Sequence, residues 1–421
     1  MSDNTILTPL ESPKISQQKS FNKITSLLII VSALGYFVDV YDMMLFTVVR
    51  KKSLLELGVL DSETLSTGLR LLNFQTIGLL IGGIFWGILG DKKGRLNVLF
   101  GSIIIYSIAN ILNGFVTSLW QYEVLRVIAG FGLAGELGAG VTIVMESLKK
   151  ETRTIGATLV ASFGLVGAIV SGYVGEHFDW RTAYIVGGVL GLFLLLLRVG
   201  VYESGMYKNI KDKNIEKGKF LKIFTSWDKF SRYSKTILVG LPSYFVLGLL
   251  LTIAPEFARE LGISDKINTG HAMMYCFTGF SIADLLCGLL SQRLQSRKAI
   301  FYLFNLLTVI AIITFFFAPA TTLFSFYIRY TFVGFGIGYW AMLVTNASEQ
   351  FGTNYRATVT TTVPNFIRGA LVPIAFAFES LKDSIGLIQS GIVIGLFTVI
   401  IALVATYFTK ETFHKDLDYI E

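Results

Sequence analysis

Apolar residues gather into twelve runs, at roughly 25–49, 67–90, 97–117, 121–146, 154–175, 181–200, 235–257, 268–291, 298–318, 322–346, 357–379 and 385–408. About 20 apolar residues cross the bilayer core as a helix. The pattern therefore predicts an all-α membrane protein of twelve transmembrane helices, which places both termini on one side. Between the sixth and seventh runs lies a longer polar stretch. The organisation read from this is a tail over 1–24, a first six-helix half over 25–200, a linker over 201–234, a second half over 235–408 and a tail over 409–421. Within the linker, Phe220, Ile223, Phe224, Trp227 and Phe230 recur at helical spacing among Lys219, Lys222, Lys229 and Arg232. That spacing predicts an amphipathic helix on an anionic membrane surface, whereas 205–218 reads equally well as a disordered linker.

The two halves repeat a pattern. Arg126 opens a Gly-rich apolar segment, Glu146 follows about 20 residues later and Arg153 closes it; Arg329, Glu349 and Arg356 do the same 203 residues on. Leu57-Gly58 recurs as Leu261-Gly262 at an offset of 204. Matched halves of this kind mark transporters built from repeats, so the two six-helix halves are expected to be pseudo-symmetric.

Composition agrees. Mean hydropathy is +0.62 and only 15% of residues are charged, outside the range of soluble domains. The net charge of +7 does not point to nucleic acid, because the Lys and Arg concentrate in alternate loops. Lys92, Lys93, Arg95, Lys149, Lys150, Arg153, Arg293, Arg297, Lys298 and Arg356 lie on the side of the termini. The opposite loops are poorer, with Arg50, Lys51 and Lys52, beside Glu56, Asp61 and Glu63, as the main exception. This is the positive-inside pattern, and it places both termini in the cytoplasm. The polar leader lacks a small-residue cleavage site, so no removable signal peptide is expected. Cys276 and Cys287, eleven residues apart on one helix, cannot bridge each other. His177, His271 and His414 are scattered, so neither metal nor other cofactor is expected.

Charges inside spans cost several kcal/mol and usually face a cavity or a partner. Asp39 and Asp42 share one face of the first span. A carboxylate beside a like charge at low dielectric can take up a proton near neutral pH. Arg126, Glu136, Asp39 and Asp42 are therefore the candidates for proton coupling, with Asp42 as carrier. Structural alternatives are an Arg126–Glu123 pair and a permanent Asp42–Arg126 bridge. Arg368 lies mid-span between Pro364 and Pro373, with Asn365 one turn before it. Its partner is either an anionic ligand or Asp284, which could instead neutralise Arg329. Tyr36, Tyr41, Gln75, Tyr339 and Trp340 join Arg368 and Asn365 as candidate substrate-lining residues, with Asn73, Tyr244 and Asn346 behind them.

Gly87-Ile-Leu-Gly-Asp91-Lys-Lys-Gly94-Arg95, between the second and third spans, resembles the signature loop of the major facilitator superfamily. That superfamily is itself one of the cases from which the repeat rule is drawn. Together with the Arg126 run and its repeat, the resemblance covers nearly the whole chain and implies the major facilitator fold and alternating access. It implies that Asp91 works in a latch on the cytoplasmic side, with Gly87, Gly94, Arg95, Glu146, Arg153, Asp284, Arg329, Glu349 and Arg356 as gating positions. In the second half Gln292 stands where Asp91 falls, so that copy is degenerate. Asp39-Val-Tyr41-Asp42 and Gly135-Glu136 resemble the metabolite–proton symporters. Drug–proton antiporters resemble it less, since their fifth span carries a Gly-Pro pair and this one reads Ser162-Phe-Gly164-Leu-Val-Gly167-Ala. The expected function is proton-coupled uptake of a small, polar, anionic metabolite across a bacterial inner membrane. The expected partners are that metabolite, protons and the lipid bilayer, without nucleic acid, the chain acting as a monomer. An exporter of an amphipathic compound or a carboxylate siderophore, a membrane enzyme and a non-transporting nutrient sensor are the rivals. No nucleophile–base or metal constellation supports an enzyme.

Overall fold

A computed structural model describes residues 13–147, 153–202, 220–263, 267–318, 322–352 and 355–415. The described residues form helices and no strand. Among the described residues, nine helices are long and apolar enough to cross a membrane singly, and Trp227–Val239 with Leu241–Leu250 makes a tenth span, bent by 41°. The two remaining spans are each divided. The fourth is split into α4 (Leu119–Leu133) and α5 (Glu136–Ser147), the tenth into α13 (Leu323–Gly336) and α14 (Trp340–Gln350). Together these are the twelve spans expected, and the chain is a multi-pass membrane protein.

The first half comprises α1 (Pro13–Glu56), α2 (Thr64–Lys93), α3 (Arg95–Asn113), α4, α5, α6 (Arg153–His177) and α7 (Trp180–Tyr202). The second comprises α8 (Trp227–Val239), α9 (Leu241–Tyr244), α10 (Ala254–Glu260), α11 (Thr269–Leu294), α12 (Arg297–Phe317), α13, α14, α15 (Arg356–Gly369), α16 (Leu371–Ile385) and α17 (Leu387–Phe408). Pro242 removes a backbone N–H near the bend of the seventh span, and a widened π turn follows over Phe245–Leu250.

Lipid offers helices no hydrophobic incentive to associate, so close packing through small residues must hold them together. The repeat does this twice with the same device. A Cβ on Gly130 would sit 2.1 Å from the Gln75 carbonyl, and one on Gly78 2.1 Å from that of Val127. In the second half Gly334 meets the Cys276 carbonyl at 1.9 Å and Gly279 that of Thr331 at 2.1 Å. The repeated Leu-Gly dipeptides also share one conformation. Gly58 and Gly262 adopt φ of 85° and 79°. The next residue of each, Val59 or Ile263, donates its amide to Leu54 or Ala258, a helix end that favours glycine.

The linker differs from expectation. Phe220–Ile223 is a separate short 3-10 helix, and Phe220 and Ile223 are buried, whereas Phe224 and Trp227 are exposed. The aromatic periodicity thus spans two elements, of which the first packs inward and stacks Phe220 near Phe366 and Tyr233. The stretch 205–218 lies outside the described residues. After α17 the chain turns back onto the second half. Glu411 accepts from the amides of Arg297 and Lys298 and from the Ser296 hydroxyl at the start of α12, and Thr412 donates to Glu349 at 2.8 Å. Burial pushes the Glu411 carboxyl up, but these donors and the Phe413 amide outweigh it and hold it below its usual range.

Candidate functional site

The halves meet along α6–α11 and α2–α15. Gly288 approaches Thr158, Ser162 donates to Asp284 at 3.1 Å, and Gly87 and Gly83 lie against Thr358 and Asn365. Asn365 also donates across to the Ala134 carbonyl at 2.9 Å. On the face away from the termini, Arg50 pairs with Glu256 at 3.2 Å and Glu176 with His271 at 3.3 Å, both between halves. Between these seams lies a cavity of about 10 Å³ lined by Tyr36, Val40, Met43, Leu165, Tyr244, Leu247, Phe277, Phe280, Trp340 and Arg368. Both halves contribute to it, as expected of a repeat transporter. It is far below the roughly 300 Å³ that small-molecule pockets reach. Asp39 is 0% and Arg368 1% exposed, so neither charge reaches solvent in this state.

One pair of charges joins the two halves beside the cavity. Arg368 Nη2 stands 3.6 Å from Asp39 Oδ2, too far for a hydrogen bond. Neither Asp39 oxygen has a hydrogen-bond partner, nor do Arg368 Nη2 and Nε, nor the Trp340 indole N–H. Asn365 accepts from Arg368 Nη1 at 3.2 Å and fixes the other side of the fork. Asp284, one of the two partners considered for Arg368, is elsewhere. Its carboxylate accepts from the Ala341 amide at 2.9 Å and from Ser162. The division of the tenth span leaves the first amides of α14 without helical acceptors, and Asp284 caps them. It thereby fixes Trp340, the first residue of α14, at the cavity wall. Nor does Asp284 serve Arg329, whose guanidinium donates to the Phe315 and Ala318 carbonyls at 2.7 Å each.

Two further charges are committed within the first half. Glu136, at the start of α5, takes a fork from Arg198 at 2.7 and 2.9 Å and a hydrogen bond from Ser102 at 2.9 Å. Arg198 also reaches the Leu99 carbonyl at 3.2 Å, and a Cβ on Gly35 would stand 2.0 Å from its Nη2. Arg126 donates to Gln75 and to the Tyr184 hydroxyl and lies over the Phe46 ring at 5.0 Å. It pairs with neither Glu123, which binds Arg70 at 2.8 Å, nor Asp42, whose oxygens have no hydrogen-bond partner.

Of the expected lining residues, Tyr36, Trp340, Arg368 and Tyr244 are in the wall and Asn365 is behind it. Tyr41 donates to the Ala183 carbonyl, Gln75 serves Arg126, Tyr339 donates to Val239, and Asn346 donates to Thr412. Helix rotation turns these away from the cavity, a property that composition does not carry. Among the gating positions, Gly94 has φ of 93°, as its tight turn requires. Glu349 accepts from Arg297 at 2.7 and 3.1 Å, and Arg356 reaches the Ser348 carbonyl at 3.4 Å. The side chains of Asp91, Arg95, Glu146 and Arg153 lie outside the described residues. Sequence reasoning missed Arg198, whose only signal was a lone cation after a leucine run, and the apolar wall of Leu247, Phe277 and Phe280, which looks like any other span. Cys276 and Cys287 are both buried and unbridged.

The sequence profile described as Major Facilitator Superfamily matches residues 27–370. A Haemophilus influenzae protein named for metabolite transport is 26% identical over 90% of this chain and 94% of its own. The sialic acid transporter NanX of Escherichia coli is 26% identical over 63% of this chain and 65% of its own. The cis,cis-muconate transport protein of Acinetobacter baylyi is 26% identical over 85% of this chain and 86% of its own. With two matched six-helix halves and a site between them, the chain belongs to the Major Facilitator Superfamily and is a transporter of small molecules, not an enzyme.

Proposed function

We propose that the chain is a proton-coupled symporter that takes up a small monocarboxylate with a flat, apolar body. The open Asp39–Arg368 pair carries this reading. Among the described residues Arg368 is the basic side chain of the cavity wall, and its counter-ion is a carboxylate it does not yet grip. Protonation of Asp39 removes that counter-ion. A buried guanidinium then needs another anion, and a substrate carboxylate can take Nη2 and Nε as two parallel hydrogen bonds. The Trp340 N–H is a further donor at the wall. The same wall holds Phe277, Phe280, Leu247 and Leu165, which favour an apolar body over a polyol. One proton and one monoanion cross together, so the cycle moves no net charge. The sialic acid and muconate of the relatives' names are both carboxylic acids, which agrees with an anion anchored on Arg368.

The site is reached alternately from each side by rocking of the halves, in a bacterial inner membrane with both termini cytoplasmic. Gating is assigned to the seams at Gly87 and Arg50–Glu256, with the Glu349–Arg297 pair holding the second half's inner end. Proteoliposomes with the outside acidified by one pH unit should accumulate at least one of the monocarboxylates benzoate, nicotinate or pyruvate. A membrane potential alone should not drive it. Accumulation of none, or drive by potential alone, overturns electroneutral symport; flux of any kind excludes a mere sensor. The orientation has its own test. A single cysteine at Lys93, with Cys276 and Cys287 replaced by alanine, should resist an impermeant thiol reagent on intact cells. Labelling from outside would reverse the topology.

A further inference from the structure

We propose that the first half holds a water-lined proton path along α3, running from its outer end to Asp42 and separate from the substrate cavity. The proposal rests on the symport reading and supplies the route by which its proton arrives. Ser107, Asn110 and Asn113 lie at successive turns on one face of α3, and each is 0% exposed. The Ser107 hydroxyl, all amide atoms of Asn110 and Asn113 and both oxygens of Asp42 have no protein hydrogen-bond partner. Leaving one such buried group unsatisfied costs about 1–3 kcal/mol. A row of them is tolerated where ordered water joins them. Space for the row is made by α7. A Cβ on Gly187 would lie 2.0 Å from Asp42 Oδ1, and one on Gly191 2.1 Å from Ser107 Oγ.

The ends of the row fit a conduit. Asn113 is the last residue of α3. Just beyond it the Gly114 and Val116 carbonyls accept from Arg181, a partly exposed side chain that pairs with Glu56 at 3.0 Å. At the inner end Asn110 faces Asp42 without completing a hydrogen bond. The charged and titratable groups around Asp42 are Asp39 and Tyr41 on its own helix, Tyr106 from α3, Arg126 from α4 and Tyr184 from α7. Arg126 is already held by Gln75 and Tyr184, so it does not close off Asp42. A proton hopping along the water protonates the Asp42 carboxylate. The resulting acid passes that proton to the Asp39 carboxylate one turn away, which leaves Asp42 ionised again and Asp39 neutral. The asparagines hold water in place and neither gain nor lose a proton.

The test has two arms. In the first, Asn110→Cys and Asn113→Cys, in the background lacking both native cysteines, are treated with 2-aminoethyl methanethiosulfonate. Each should react at least tenfold faster than Ile103→Cys, an equally buried apolar position on the same helix. Equal inertness overturns the path, whatever the transport results. In the second arm, Asn113→Leu should slow acid-driven accumulation of the acid that wild type takes up at least tenfold, while counterflow of the same acid stays within twofold. Unchanged accumulation by Asn113→Leu overturns the path and leaves symport standing. If Asn113→Leu loses counterflow too, Asn113→Ser decides. It should restore both, and failure to do so overturns the path. A wild type that accumulates none of the three acids removes the symport reading and the path with it.

Discussion

Replacing Asp39 with asparagine is expected to abolish accumulation driven by a pH gradient, by a hundredfold or more, while substrate exchange persists. The neutral amide imitates the protonated carboxylate, so Arg368 is permanently released to bind an anion. Binding should then lose its dependence on pH, because the group whose charge competes with substrate has gone. Counterflow in proteoliposomes at matched pH measures the exchange, and uptake under an imposed gradient measures the coupling. The sequence favoured Asp42 as the carrier; the reading proposed above gives that role to Asp39, whose Oδ2 stands 3.6 Å from Arg368. If Asp39→Asn still concentrates substrate, the role returns to Asp42. Asp42→Asn is expected to impair accumulation as well, but by interrupting supply of the proton rather than its exchange against substrate.

Arg368→Lys should weaken substrate binding about 10- to 100-fold despite keeping the charge. A point ammonium cannot reproduce two parallel hydrogen bonds, each worth roughly 1.5–3 kcal/mol to a charged partner. Arg368→Gln goes further, leaving Asp39 buried opposite no cation. Stranding one member of a buried pair costs about 3–5 kcal/mol, so this variant should also unfold at lower temperature in detergent. Adding Asp39→Asn to Arg368→Gln should restore thermal stability without restoring binding. Recovery of near-normal affinity in the double variant would show that Arg368 merely neutralises Asp39, and an anionic substrate would lose its support. Asp284→Asn is the matching control: it should disturb Trp340 by weakening the cap on α14, with no rescue of either Arg368 variant.

Those two residues also show what the sequence can and cannot disclose. Arg368 and Asp39 stand out because a charge in a span is costly wherever it sits, and cost is a local property. Their pairing is not local. It depends on how α1 and α15 are rotated in separate halves, and the nearer guess of Asp284 failed because the break before Trp340 had already claimed that carboxylate. The same holds for Glu136, visible at once as an intramembrane acid, and for Arg198, which is 62 residues away and unmarked. Twelve spans were legible because hydropathy integrates over some 20 residues. The divisions of the fourth and tenth spans were not, since their glycines read equally as close packing within an unbroken helix. The repeat at Leu57-Gly58 and Leu261-Gly262 was legible down to backbone conformation, because a left-handed helix end needs glycine. The linker aromatics misled because helical spacing does not reveal that two elements share it.

The separation of Asp39 from Arg368 has a consequence for turnover. A carrier making about ten cycles a second has roughly 16 kcal/mol to spend on its slowest step. A bridge that opens in every cycle must therefore be shallow. At 3.6 Å without a hydrogen bond, Asp39–Arg368 meets that requirement. The Glu136–Arg198 fork, with two hydrogen bonds below 3 Å and a serine behind it, is the more tightly held of the two, and the proposed cycle leaves it closed. Length and bond count thus sort the buried ion pairs of this chain into hinges and rivets. Shortening the first kind by mutation would slow the machine, just as loosening the second would shake it apart.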